Sequence, residues 1–128
     1  MSGERGIGFL AMDGELPCGI IGAFLSEHEP GIAQIVSMWV APGYRRSGVG
    51  TALIDAIRSW SRTRGVHTLR LMVTSHNHAA MKFYERNGFT MTGKTEPYPN
   101  DPLIIEYEMA QCIPAEESHE VDPSSRSS

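Results

Sequence analysis

The chain has 128 residues, of which 41% are hydrophobic, and its 15 acidic and 11 basic residues give a net charge of −4 at pH 7. This length suits one domain with a core of its own, and the near-balanced charge disfavours a general nucleic-acid-binding protein. No apolar run approaches the roughly 20 residues that span a membrane, no secretory signal is expected, and two cysteines are too few for a disulfide scaffold. We therefore expect a soluble, cytoplasmic protein with no membrane or nucleic-acid partner.

Composition divides the chain near residue 110. The last residues are rich in Ser, Pro and acidic side chains and contain almost no large apolar residue. Such a segment cannot bury enough apolar surface to offset the entropy of ordering. We predict a folded domain over residues 1–110 and a disordered acidic tail over residues 111–128.

The first part of the domain predicts three strands joined by short turns. The strands are expected at Gly8–Met12, Gly19–Leu25 and Ile32–Val40, with a hairpin turn at Asp13-Gly14 and a stop at Pro42-Gly43. Three consecutive strands with short turns indicate an antiparallel meander.

The second part alternates helices and strands. Apolar residues recur at helical spacing from Val49 to Trp60, and Asn77–Asn87 predicts a second helix with Asn77 as its N-cap. The remaining strands are expected at Val66–Val73, Phe89–Thr92 and Leu103–Met109, with a proline-rich loop, Pro97–Pro102, before the last one. The predicted class is α/β (α+β), in the order β-β-β-α-β-α-β-β.

One segment matches a nucleotide-binding loop by its letters alone. Gly88–Thr95 has the spacing G-x-x-x-x-G-K-[ST], which binds phosphate only where a strand is followed by a helix. Here the prolines at 97, 99 and 102 prevent a helix after it. We expect a short strand with a turn at Gly93-Lys94.

A second segment has the context that the first one lacks. Residues 40–51 leave a predicted strand and open the predicted first helix. Gly48 and Gly50 let the backbone approach a ligand closely, and Arg45 and Arg46 supply positive charge where a diphosphate would lie. An ordinary glycine-rich turn with solvated arginines is the alternative interpretation.

Two sequence blocks together resemble a known family. Arg45-x-x-Gly48-x-Gly50 resembles the acetyl-CoA pyrophosphate loop of the GNAT superfamily of N-acetyltransferases, and Asn77–Phe89 resembles its N-x-x-A-x-x-F-Y-x-x-x-G-F motif. One helix and one strand separate the blocks, as in that family, and the resemblance covers roughly residues 7–109. It implies a mixed, mostly antiparallel sheet with helices packed on it. It also implies transfer of an acetyl group from acetyl-CoA, as co-substrate, to a primary amine.

The resemblance implies a role for each motif residue. Tyr84 would lie near the thioester sulfur as general acid, and the Val40 N–H would stabilise the developing oxyanion. Met38–Val40 would run beside the pantetheine arm. The residues implied to bind the cofactor are Met38, Trp39, Val40, Arg45, Arg46, Ser47, Gly48, Val49, Gly50, Thr51, Asn77, Ala80 and Tyr84.

The general base is the weakest part of this assignment. Some histone-acetylating relatives carry a Glu on the third strand of the meander, where this chain has Gln34, and Gln cannot accept a proton. The alternatives are Glu27, His28 and Glu29 in the preceding turn, or a water held by Ser37. An amine that binds in its neutral form needs no base.

No metal is expected, although His76-x-His78 has the spacing of two metal ligands. A ligand set needs further Cys, His or carboxylate groups nearby, and the sequence offers none there. The Pro97–Pro102 segment resembles a loop that borders the acceptor site in some small bacterial-type members of the family.

The front of the chain departs from the family pattern. Family members begin with one more strand and one or two helices, whereas this sequence starts almost at the second strand. A shortened sequence, a naturally short protein and a partner that completes the site are all open. An exposed sheet edge would also favour pairing of two copies, so we expect a homodimer.

Three functions remain open at this stage. The first is an N-acetyltransferase, and the second is an acyl-CoA-binding module or fragment with an incomplete acceptor site. The third is a nucleotide hydrolase that uses Gly88–Thr95. The acceptor itself cannot be read from the sequence.

Overall fold

The computed structural model describes residues 5–114. It contains six strands, two α-helices and one short 3₁₀-helix, in the predicted order. The elements are β1 Gly6–Asp13, β2 Leu16–Leu25, β3 Ile32–Val40, the 3₁₀-helix Pro42–Tyr44, α1 Val49–Thr63, β4 Thr68–Thr74, α2 His78–Arg86, β5 Thr90–Tyr98 and β6 Asp101–Cys112. Within the described range, no helix is long and apolar enough to cross a membrane.

All six strands form one sheet in the order β1-β2-β3-β4-β6-β5. Every neighbouring pair is antiparallel except β3 with β4, which are parallel because α1 carries the chain back between them. The predicted mixed, mostly antiparallel sheet is confirmed.

Both α-helices pack on one face of this sheet. Leu53, Ile54 and Ile57 of α1 and Met81 of α2 join one buried cluster with the strand residues that point to the same side. Those strand residues are Ile21, Ala23, Ala33, Ile35, Leu69, Leu71, Val73 and Met109. Burying this apolar stripe is what holds each helix against the sheet.

No helix within residues 5–114 covers the opposite face, which we call the open face. Its apolar side chains remain exposed, by 58% at Leu10, 43% at Ile20 and 54% at Phe24. Val36 and Trp39 of β3 are exposed on this face as well.

A β-bulge interrupts β3. Gly22 pairs with Ser37 and Ala23 pairs with Ile35, so Val36 is an extra residue with no partner on β2. Ile35 therefore faces the helices, whereas Ser37 lies opposite Gly22 on the open face.

The proline-rich loop predicted at Pro97–Pro102 is wrong. β5 runs to Tyr98 and β6 begins at Asp101, so only Pro99 and Asn100 form the turn of a tight hairpin. A proline without an N–H is tolerated at position 97 because β5 is the edge strand of the sheet. The turn expected at Gly93-Lys94 is likewise absent, because Gly93, with φ of 93°, lies in an irregular stretch inside β5.

The fold also passes the boundary expected at residue 110. β6 continues to Cys112, and Ile113 is buried with its N–H donating to the carbonyl of His67. The predicted disordered tail lies outside the described residues from residue 115 onward.

Candidate functional site

The parallel pairing of β3 with β4 is short. It comprises three residue pairs, and the last is Gln34 with Arg70. β3 then continues to Val40 and β4 to Thr74 without further pairing between them. We call the resulting gap, between residues 35–40 of β3 and 71–74 of β4, the split.

The backbone of β3 presents free polar groups to the split. The Ala41 N–H donates to the Cys18 carbonyl at 2.8 Å, so Ala41 is directed toward β2. Successive residues of a strand direct their N–H and C=O groups to opposite edges. Met38 and Val40 therefore face the split, whereas Trp39 faces β2, opposite Ile20.

Arg45 lies where β3 ends. Its Nε–H donates to the Val40 carbonyl at 3.3 Å, which holds the guanidinium at the mouth of the split. The preceding 3₁₀-helix is attached to the β1–β2 hairpin, because the Tyr44 hydroxyl donates to Asp13 Oδ2 at 2.5 Å. That hydrogen bond to the carboxylate is the main cause of a raised pKa at Tyr44.

The loop before α1 has an unusual backbone. Arg46 has φ of 70° and Gly48 has φ of 91°, and both values lie in the left-handed region. Gly48 is the N-cap residue, and no side chain caps the helix. For the main-chain N–H groups of Arg46, Gly48, Gly50 and Thr51, no partner is found within residues 5–114.

These free N–H groups make the start of α1 a concentration of hydrogen-bond donors. They add to the partial positive charge of the helix N-terminus and to the guanidinium groups of Arg45 and Arg46. The remaining first-turn donor, the Val49 N–H, lies 3.4 Å from the Ser47 hydroxyl oxygen. An anion with several oxygens matches such a donor set.

The two sequence blocks meet at Gly50. A Cβ at this position would lie 2.7 Å from Cζ of Phe83 and 3.4 Å from Cε of Met38. The glycine therefore allows the first turn of α1, the second block on α2 and the end of β3 to come into contact. The two blocks, predicted separately, are therefore in contact in the fold.

Tyr84 follows Phe83 on α2 and is largely buried. Its ring packs edge-on against Phe83 and Phe89, with ring centroids 5.5 and 5.9 Å away. Burial raises the pKa of the Tyr84 hydroxyl above its usual value of 10.0. Within residues 5–114, this hydroxyl has no hydrogen-bond partner, so it is free to interact with a ligand.

The other residues expected to bind the cofactor take different positions. Asn77 caps α2, its side-chain oxygen accepting the Ala80 N–H at 3.1 Å, as predicted. Ala80 packs partly buried against the core, and the Trp39 side chain is 47% exposed on the open face. Trp39 thus contributes neither backbone nor side chain to the helix-side part of the split.

The residues considered as general base are spread apart. Glu27 and His28 are exposed, and Ser37 is exposed on the open face. Gln34 lies in the last pair before the split, opposite Arg70. Glu29 is bound by Arg70, whose Nη2 lies 2.7 Å from Glu29 Oε1.

The two alternatives based on spacing gain no support. His76 and His78 are both exposed, and within residues 5–114 no three His, Cys, Asp or Glu side chains are grouped to hold a metal ion. Gly88–Thr95 follows a helix and continues into β5, so it lacks the strand-to-helix geometry of a nucleotide loop.

Sequence reasoning missed two charged residues near the split. Arg70 lies between buried Leu69 and Leu71 on β4, and Glu108 precedes buried Met109 on β6. A charge inside an otherwise apolar strand is the signal that could have drawn attention to them.

Comparison with known families agrees with this geometry. The model of the Acetyltransferase (GNAT) family matches residues 2–89, which is more than half of the chain. The chain belongs to the GNAT acetyltransferase family. Both resembling blocks lie within the matched residues.

Relatives in sequence cover only part of the chain. The [ribosomal protein bS18]-alanine N-acetyltransferase of Escherichia coli K12 is 40% identical over 57 residues, which are 44% of this chain and 38% of that protein. The IAA acetyltransferase of Azospirillum brasilense is 29% identical over 84 residues, 66% of this chain and 55% of that protein. The chain thus spans from about a quarter to about half of the curated relatives it matches.

Solved GNAT structures share the fold over most of the chain. A nourseothricin acetyltransferase superposes with a TM-score of 0.79 at 27% identity, covering 87% of this chain and 67% of that one. The ribosomal-protein-S18-alanine N-acetyltransferase of E. coli gives a TM-score of 0.73 at 25% identity, covering 94% and 77%.

Proposed function

We propose that this GNAT protein is an acetyl-CoA-dependent N-acetyltransferase that transfers an acetyl group to a primary amine by direct attack. One observation carries the proposal: the free backbone edge of β3 leads, through Arg45, directly to the free N–H groups at the start of α1. An elongated ligand with an amide-containing arm and a diphosphate matches this order of groups.

The residues present fit acetyl-CoA. Met38 offers its N–H and C=O groups to the amides of a pantetheine arm, in the manner of a further strand. The free N–H groups of Arg46, Gly48, Gly50 and Thr51, with Arg45, suit the pyrophosphate, whereas the Ser47 N–H donates to the Tyr44 carbonyl at 3.2 Å. Gly48 supports this assignment of the pyrophosphate. Its φ of 91° suits glycine, and no atom lies within 4 Å of an added Cβ, so the space beside this residue is open.

The chemistry then requires two tasks, which we assign to Val40 and Tyr84. The thioester supplies an activated acetyl group. The Val40 N–H is directed to the split, and we assign to it the donation of a hydrogen bond to the carbonyl oxygen as negative charge develops there. Tyr84 is protonated at neutral pH, so it can donate a proton to the departing thiolate.

The acceptor is proposed at the level of a chemical class. Relatives and structural neighbours are named as acetyltransferases of a ribosomal-protein alanine, of streptothricin and of an aminoglycoside. These molecules share an amino group, and we extend no more than that to this protein.

A thermal-shift measurement with acetyl-CoA tests the binding step. Occupancy at 100 times Kd stabilises the fold by about 2.7 kcal/mol, which is several degrees for a domain of this size. Mg-ATP, as the comparison ligand, is expected to give no shift. Absence of a shift with acetyl-CoA, or a shift with Mg-ATP alone, would contradict the proposal.

Release of CoA thiol tests the transfer step. The acceptor panel contains an alanine-initiated peptide, streptothricin and an aminoglycoside, each added with acetyl-CoA. Turnover above the hydrolysis background with at least one of them is expected. Stabilisation by acetyl-CoA without turnover on any of them would identify a binding module instead.

We also infer a homodimer formed through the free edge of β1, and a cytoplasmic location. β1 pairs only with β2 among the described strands, so its outer edge is open. The location is supported by Cys18 and Cys112, which are both free thiols, as expected in a reducing compartment.

A further inference from the structure

Among residues 5–114, Glu108 of β6 is the one charged residue that is buried. Within residues 5–114, the buried polar side chains are Ser61, Asn87 and Glu108, and Glu108 is 8% exposed. Neither the binding nor the transfer steps described above use this carboxylate. A buried carboxylate normally has several donors, because desolvating a charge is unfavourable unless hydrogen bonds replace the lost water.

Among residues 5–114, one hydrogen bond reaches the carboxylate of Glu108. The Thr92 hydroxyl donates to Oε1 at 2.8 Å. Oε2 lies 4.0 Å from Nη1 of Arg70, an ion-pair distance that is too long for a hydrogen bond. Arg70 instead binds Glu29 at 2.7 Å, and its own Nε is buried without a partner among the described residues. Oε2 therefore has the capacity to accept a proton.

The position of Glu108 relates it to the split. It lies directly opposite Met72 of β4, two residues beyond Arg70, where the pairing with β3 ends. Met109 faces the helices, so Glu108 points to the open face by the alternation of the strand. Tyr84, on α2, belongs to the helix side of the sheet. Glu108 thus lies on the open face, one strand away from the split, and Tyr84 lies on the opposite, helix-covered side of the sheet.

We propose that Glu108 is the base that removes a proton from the acceptor ammonium group, which reaches the split from the open face. This inference rests on the proposed N-acetyltransferase function and supplies the proton acceptor that Gln34 cannot be. Glu108 belongs to a different strand from every base considered from the sequence.

The protons balance in this scheme. The ammonium gives one proton to Glu108 Oε2, which leaves a neutral amine and a neutral carboxyl group. The amine nitrogen forms a bond to the acetyl carbon, and the bond between that carbon and sulfur breaks. The second proton of the nitrogen reaches the thiolate by way of the Tyr84 hydroxyl, and Glu108 returns its proton to solvent.

Charged groups on several elements surround Glu108. Arg70 approaches from β4 and forms an ion pair with Glu29 of the β2–β3 turn. Along the same face lie Glu106 of β6, Glu96 of β5 opposite it, and Lys94 beside Glu96. Burial, followed by the charge of Glu96, raises the pKa of Glu106.

The test compares Glu108→Gln with wild type through the pH profile of kcat/KM. It uses the acceptor of the panel that wild type turns over fastest, between pH 6 and 9.5. At pH 7 we expect a loss of about 100-fold, the lower end of what a general base contributes. The loss should shrink about tenfold per pH unit as the amine loses its proton in solution, because a neutral amine needs no base. A purely structural role would give the same loss at every pH.

Glu106→Gln is the matched control. It removes a carboxylate from the same strand and face, two residues away, and should stay within threefold of wild type. The thermal shift with acetyl-CoA should be the same in all three proteins. Should Glu108→Gln not fold, Glu108→Asp replaces it, with an expected tenfold loss and a pH profile of wild-type shape.

The outcomes separate this inference from the proposed function. Suppose that wild type turns over the acceptor. If Glu108→Gln then stays within threefold of wild type at pH 7, or if its loss of activity does not change with pH, the role of Glu108 is overturned and the N-acetyltransferase function remains intact. A wild type that binds acetyl-CoA but transfers to no amine overturns the function, and the base with it.

Discussion

Tyr84 combines two properties that are usually in conflict at a single residue. Its ring is anchored by two aromatic neighbours, which fixes its position, while its hydroxyl lacks a partner in the described protein. Burial disfavours the phenolate and raises the pKa of Tyr84, so the proton remains in place well beyond neutral pH. A proton donor that is rigid and reliably protonated suits a leaving thiolate.

Tyr84→Phe should therefore lower turnover much more than acetyl-CoA binding. We expect a fall in kcat of about 100-fold, with the acetyl-CoA thermal shift unchanged, because the ring remains and only the proton is lost. Steady-state kinetics and the thermal shift measure the two effects separately. An unchanged kcat would remove Tyr84 from the mechanism.

The same raised pKa affects stability at high pH. Below pH 10 the phenol is neutral in both the folded and the unfolded chain, so it contributes the same at every pH. Above pH 10 the unfolded chain ionises first, and the free energy of unfolding falls as pH rises toward the folded pKa. The wild type should lose more stability between pH 10 and 11 than Tyr84→Phe does, in urea titrations at each pH.

At the scale of elements, the packing of α1 against α2 depends on Gly50. The helix would be intrinsically more stable with Ala, by about 1 kcal/mol, but an added Cβ would meet Phe83 at 2.7 Å. Overpacking of this kind costs about 1–3 kcal/mol and moves the side chain that borders Tyr84. The clash with Phe83 therefore outweighs the gain in helix propensity.

Gly50→Ala should accordingly destabilise the protein by about 1 kcal/mol and weaken acetyl-CoA binding several-fold. Gly43→Ala serves as the control, because Gly43 lies in the preceding 3₁₀-helix with no atom within 4 Å of an added Cβ. Urea unfolding of both variants, with and without acetyl-CoA, measures the difference. Equal behaviour of the two variants would show that the contact at Gly50 is unimportant.

The elements themselves were largely predictable, and their relations were not. Apolar periodicity gave all six strands and both helices in order, and Asn77 was found as a cap because side-chain capping is local. The hairpin around Pro99 was missed because proline content indicates a loop unless the strand is known to be an edge. The split and the bulge at Val36 depend on register, which periodicity does not encode. Glu108 and Arg70 could be noticed in the sequence, but their proximity required the fold.

At the scale of the whole molecule, the two edges of the sheet differ in character. β5 carries the usual protections of an exposed edge: an irregularity around Gly93, the charges of Lys94 and Glu96, and Pro97. β1 reads GIGFLAMD and has no charged residue before Asp13. An unprotected apolar edge favours pairing with another strand, and a second copy offers the same edge.

The proposed dimer is tested by Leu10→Lys, which places a charge on this edge. Wild type should sediment at about twice the chain mass of 14.1 kDa at high micromolar concentration, and the variant as a monomer. Leu103→Lys is the control, because Leu103 is 91% exposed at the start of β6, away from β1. A monomeric wild type, or identical sedimentation of both variants, would speak against pairing through β1.

The bulge at Val36 sets the parity of the last four residues of β3. With the extra residue, the N–H groups of Met38 and Val40 point into the gap beside β4, and the Trp39 ring lies on the uncovered side of the sheet. If β3 kept Val36 but paired with β2 without the bulge, so that Val36 lay opposite Gly22, every later residue would shift by one place and exchange both edge and face. Trp39 would then turn toward α1, and the proposed oxyanion donor would be spent on pairing with β2. One unpaired residue thus determines which edge and which face the reactive end of β3 presents, and deleting Val36 should leave the pairing of residues 37–40 with β2 unchanged.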